Sequence, residues 1–98
     1  MTQLRRHLAA VWFADIVGYT TLSERNEGEA VRLARSFQRA AREVVERFGG
    51  RVVKFLGDGA LAEFPSSEMA VRSAYALPAA VSREAERDGL AAPELRLG

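Results

Sequence analysis

The tripeptide Gly57-Asp58-Gly59 constrains this chain more than any other feature. It separates two short runs rich in apolar residues, RVVKFL at 51–56 and ALAEF at 60–64. A glycine-flanked turn between two such runs predicts a β-hairpin. A lone hairpin is only marginally stable in water, so other elements must cover its apolar side.

The rest of the sequence supplies them. Residues 8–17, LAAVWFADIV, read as a buried strand in which Trp12 and Phe13 face opposite ways, so at least one is core. Gly18-Tyr19-Thr20 turns the chain, and Thr20 or Thr21 is placed to cap a short helix through Arg25. Asn26 opens a longer helix, with Glu29 at the capping-box spacing. Its apolar stripe is Ala30, Ala34, Phe37, Ala41, Val44, Val45 and Phe48, and Gly49-Gly50 stops it. Arginines along 32–47 alternate with Glu43 and Glu46, the pattern of a solvated face, although Arg35, Arg39 and Arg42 are also placed to meet a partner. Pro65 and two serines start a third helix, with a stripe at Ala70, Ala74, Leu77, Val81 and Ala85. Pro78 inside it predicts a kink. Asp88-Gly89 ends it, and residues 94–98, ELRLG, begin another strand.

The order β-α-α-β-β-α-β predicts an α+β sandwich of the ferredoxin-like kind, incomplete at its C-terminus. Ninety-eight residues are enough for a single domain, residues 1–98. A net charge of +1 argues against a nucleic-acid footprint. No apolar run approaches the roughly 20 residues of a membrane span. The lack of cysteine excludes disulfides, cysteine-ligated metals and thiol nucleophiles, and fits a reducing cytoplasm. His7, the only histidine, has no metal partner near it in sequence.

Topology draws distant carboxylates together. A right-handed crossover leaves the first two strands parallel, with the third strand between them and antiparallel to both. Asp15 at the end of the first strand and Asp58 at the hairpin tip then share one edge of the sheet. Converging carboxylates suit a hard divalent cation such as Mg²⁺ or Mn²⁺. Turn chemistry, which favours aspartate, accounts for the pair equally well. Gly18-Tyr19-Thr20 opens a helix whose free N–H groups suit phosphate. Lys54, the only lysine, lies four residues before Asp58, a spacing that on a continuous strand puts both on one face. Its compact ammonium either donates to a ring nitrogen of a ligand or guards an edge strand.

The segments VWFADIVGYTTLSER at 11–25, FGGRVVKFLGDGALAEF at 48–64 and AVRSAYAL at 70–77 together resemble the class III adenylyl/guanylyl cyclase catalytic domain. The resemblance implies that Asp15 and Asp58 are the catalytic, metal-binding aspartates, with the carbonyl of Ile16 as a further metal ligand. It implies that Gly18, Tyr19 and Thr20 hold the β- and γ-phosphates and that Lys54 recognises adenine. Two Mg²⁺ or Mn²⁺ ions per site, ATP as substrate, cyclic AMP and pyrophosphate as products, and a homodimer sharing its site across the interface follow from the same likeness. Domains of this family run on past ELRLG into strands that carry a second base-selecting residue and the transition-state Asn and Arg. These 98 residues are therefore expected to be the N-terminal part of such a domain and inactive alone. A non-catalytic cyclase-like module that binds nucleotide or dimerises, and a guanylyl cyclase, are the other readings; Lys54 opposes the last.

Overall fold

The computed structural model describes residues 10–98; His7 and the first two residues of the expected opening strand lie outside them. Seven elements follow in the expected order: β1 (Ala10–Ile16), α1 (Tyr19–Arg25), α2 (Glu27–Arg47), β2 (Arg51–Phe55), β3 (Gly59–Phe64), α3 (Ser67–Arg87) and β4 (Leu95–Leu97). The sheet order is β2-β3-β1-β4, and each neighbouring pair is antiparallel. β1 and β2 are thus parallel, with β3 between them, as the crossover argument requires.

Strand alternation decides which side carries the core. Trp12, Ala14 and Ile16 of β1 and Ala60, Ala62 and Phe64 of β3 are buried under α2 and α3. From the helices come Phe37, Val44 and Val45 on α2 and Leu77 and Val81 on α3. Trp12 resolves the choice between the two aromatics: it is core, while Phe13 points the other way and is partly exposed. The Trp12 indole packs on Phe64 and donates to the buried Ser73 hydroxyl at 2.9 Å, which in turn donates to the Ala70 carbonyl at 2.8 Å. One polar atom inside an apolar layer is thereby satisfied, and β1 is tied to α3.

The helix ends follow local chemistry. Asn26 caps α2 by accepting from the Glu29 N–H at 3.1 Å. Its own N–H is already bonded to the Leu22 carbonyl at 2.7 Å, so Glu29 reaches the side-chain amide instead of the backbone. The expected α2 stripe is buried apart from half-buried Phe48, and Leu33, Ser36 and Ala40 widen it. The expected cap of α1 is corrected: Gly18, at φ 76°, is the N-cap, and Thr20 and Thr21 lie inside the helix. A left-handed glycine turns the chain earlier than a threonine could. Ser66 caps α3 by accepting from the Met69 N–H at 3.2 Å. α3 then runs unbroken through Pro78. That proline is on the exposed side, where water can donate to the carbonyl one turn back that the proline cannot reach with an N–H. No helix among the described residues is long and apolar enough to cross a membrane.

Arginines on α2 lock the far end of α3. Arg39 pairs with Glu84 at 3.0 Å and with Asp88, and Arg32 donates to the Asp88 carbonyl. The Arg42 guanidinium stands 5.1 Å from the Phe55 ring centre. Two of the three arginines suggested for a partner are thus engaged within the chain, and Arg35 stays exposed. The Ser36 hydroxyl and the Arg39 guanidinium hold the Asp88 carboxyl below its usual value of 3.8. A carboxyl depressed on folding stabilises the fold above its unfolded pKa, and that stabilisation is lost as pH falls through the folded value. Asp88→Asn should therefore lower the melting temperature at pH 7. The gap to the unmodified chain should close in melts recorded well below pH 3.8.

Candidate functional site

The site begins with the register of β1 against β3. Asp15 stands opposite Gly59, and the Ile16 N–H donates to the Asp58 carbonyl at 3.0 Å. The hairpin tip is therefore bonded to the end of β1, and residues 15 and 58 meet at one edge as the topology predicted. Reciprocal bonds between Leu56 and Gly59, 2.8 and 3.2 Å, leave Gly57 and Asp58 as a two-residue loop. Gly57 has φ 61° and Asp58 does not have positive φ, the pattern of a type II′ turn with glycine first. Gly59 serves proximity instead. A Cβ there would lie 3.0 Å from the Ala14 carbonyl, 3.1 Å from the Phe13 ring and 3.3 Å from the Asp15 Cβ.

Asp15 projects from the face opposite the helices, its side chain 17% exposed. Its Oδ1 is buried without a hydrogen-bond partner. Arg96, directly across on β4, donates from Nη2 to Oδ2 at 3.3 Å. The Arg96 Nε is also 3.3 Å from Oδ1, within ion-pair range but without hydrogen-bond geometry. Asp58 is half-buried in the loop, and Ile16 lies between the two aspartates with its N–H held by Asp58. Among the described residues no group of three or more His, Cys, Asp or Glu gathers. Two carboxylates and a backbone carbonyl are nonetheless an all-oxygen set, and the buried Oδ1 accepts no hydrogen bond although the Arg96 guanidinium is close by. Mg²⁺ is commonly held by one or two carboxylates, its remaining places filled by water and phosphate oxygens, and the residues present fit that demand.

Gly18, Tyr19 and Thr20 follow Asp15 by one turn of chain. No side chain caps the first N–H groups of α1. Lys54 requires a correction. β2 ends at Phe55 and Asp58 is in the loop, so strand alternation does not run from one to the other. A bulge at Val53 also shifts the register, pairing Val52 with Ala62 but Lys54 with Leu61. Val52 and Phe55 consequently face the core, and Lys54 faces the open side, the side of Asp15. Lys54 is exposed on an edge strand, where a charge also discourages edge-to-edge pairing. Arg96 was not found by sequence reasoning. Its signal was the Leu95-Arg96-Leu97 alternation, which sends the central residue to the face opposite its neighbours.

No family model matches the chain. It is 42% identical over 86 residues to a Rhizobium meliloti protein provisionally named adenylate cyclase 3, covering 87% of this chain and 14% of that one. It is 38% identical over 82 residues to an adenylate cyclase of Glutamicibacter nicotianae, covering 83% of this chain and 19% of that one. The crystal structure of an adenylyl cyclase from P. aeruginosa matches with a TM-score of 0.72 and 26% identity, covering 90% of this chain and 52% of the other. The chain thus spans a small part of these curated relatives and about half of that structure.

Gly59→Ala tests the close approach at Asp15. Crowding the Ala14 carbonyl and Phe13 should cost about 1–3 kcal/mol of unfolding free energy, read from urea titration. An unchanged midpoint would mean that β1 and β3 part freely there.

Proposed function

This chain matches the class III adenylyl/guanylyl cyclases across most of its length, and from that premise we propose that a cyclase containing it converts ATP to cyclic AMP and pyrophosphate. The observation that carries the reading is the meeting of Asp15 and Asp58, 43 positions apart, through the Ile16–Asp58 hydrogen bond, with the Asp15 Oδ1 buried and accepting no hydrogen bond. Asp15, Asp58 and the Ile16 carbonyl would hold two Mg²⁺ or Mn²⁺ ions. Such ions, when bound, supply Lewis-acid activation of the attacking 3′-hydroxyl and neutralise phosphate charge.

The remaining roles belong to the chain itself. The backbone of Gly18, Tyr19 and Thr20 takes the β- and γ-phosphates, and its fixed N–H groups need no rearrangement to do so. Lys54 donates to an adenine ring nitrogen. Within one copy, Lys54 and Asp15 lie two strands apart on the open face, on the order of 10 Å at the usual strand spacing. That same face carries exposed Val11, Phe13 and Val53 with no layer over them. A homodimer closing over it would cover these side chains and bring the Lys54 of one copy toward the aspartates of the other. No residue of this site is assigned to charge on the transferred phosphate, so turnover needs groups from outside these elements. ATP as substrate implies a cytoplasmic site.

Two substitutions test the assignment in a cyclase that contains this segment. Asp58→Asn should cut Mn²⁺-dependent cyclic AMP formation at least about 100-fold while circular dichroism stays unchanged; full turnover would refute the metal role. Lys54→Glu should weaken the use of ATP, seen as a fall in kcat/KM. Unchanged ATP kinetics would leave Lys54 as an edge guard only.

A further inference from the structure

The cross-strand pair of Arg96 and Asp15 has no part in the scheme above. We propose that Arg96 is a displaceable counter-cation that competes with the divalent ion for Asp15 and so sets the ion affinity of the site. The inference rests on the reading of Asp15 as a metal ligand.

The backbone fixes where Arg96 starts. β4 is held to β1 by reciprocal 2.8 Å bonds between Phe13 and Gly98, and by the Val17 N–H on the Glu94 carbonyl at 2.9 Å. Leu95 and Leu97 share the face of Ile16 and Ala14, which sends Arg96 to the open face opposite Asp15. The two ends of the pair differ in freedom. The Arg96 side chain is 70% exposed and the Asp15 side chain 17%, so the guanidinium is the end that can leave.

The contact is also weak for its kind. Charge-assisted N–H···O bonds usually measure about 2.7–2.9 Å, and a well-placed arginine grips a carboxylate with two of them. Here one hydrogen bond forms, at 3.3 Å, and Oδ1 receives none. Asp15 is thus neutralised by a nearby positive charge but not saturated as an acceptor. A divalent ion taking Oδ1 would meet the Arg96 Nε 3.3 Å from the same oxygen. Two cations cannot share that approach without repulsion, so the ion enters as the guanidinium withdraws. With no ion bound, Arg96 limits the repulsion between Asp15 and the nearby Asp58.

Titration of Mn²⁺ alone into the chain, followed by loss of the free-ion electron paramagnetic resonance signal, decides the matter. Arg96→Gln should bind Mn²⁺ about two- to fivefold more tightly than the unmodified chain, the scale of one exposed ion pair. Arg96→Lys should return the affinity toward the original value, and adding Asp15→Asn to Arg96→Gln should abolish the gain. Damage to the fold would weaken binding, so tightening cannot come from a merely structural role. If the unmodified chain binds Mn²⁺ and Arg96→Gln binds it equally or less well, the role of Arg96 falls and that of Asp15 stands. If neither binds Mn²⁺, the metal reading of Asp15 falls and takes this one with it.

Discussion

The antiparallel pairing of β1 with β3 is the constraint on which the rest of this structure depends. It carries Asp58 to Asp15 through the Ile16 N–H and sets Gly59 against the backbone of Ala14. It also sets which residues face inward. A slip of one residue would turn Trp12, Ala14 and Ile16 to the open side and Asp15 into the core. The buried indole, bonded to Ser73 on α3, opposes such a slip, because the N–H would lose its only partner inside the apolar layer.

That pairing divides the molecule into two faces with different work. The helical side holds the apolar core and the locks between α2 and α3. The open side holds Asp15, Lys54 and Arg96 beside exposed apolar residues. Charges that would be costly in the core are placed where water, an ion or another chain can meet them. Asp15 is the least exposed of these charges, and its cross-strand arginine supplies one long hydrogen bond and a nearby positive charge. Near the β4 edge, Val11, Val71, Ala74 and Leu97 line an open apolar groove of about 280 Å³ between β1 and α3.

Local signals were read well wherever neighbouring residues settle the matter. Asn26 with Glu29, Ser66 before α3 and the glycine-flanked hairpin are short-range chemistry, and each stands as expected. Readings failed where a neighbour in space intervened. The Lys54 spacing assumed a strand continuing to Asp58, but β2 ends at Phe55 and the turn intervenes; the bulge at Val53, needed to keep both Val52 and Phe55 on the core, separately sets which face Lys54 takes. Arg39 does lie on the solvated face that its pattern indicates, yet instead of meeting an outside partner it pairs with Glu84 on a helix 45 positions away. Arg96 passed unnoticed because its meaning depends wholly on the strand beside it.

By itself the sequence determined the elements, their order and the likeness to nucleotide cyclases, because periodicity, caps and short motifs are properties of adjacent residues. The tertiary structure alone decided that Asp15 keeps a buried oxygen without a hydrogen bond, that Arg96 stands against it, and that Lys54 shares its face. Those facts come from strand register and a one-residue bulge, which are fixed by contacts between segments far apart in the chain and leave little trace in any one of them.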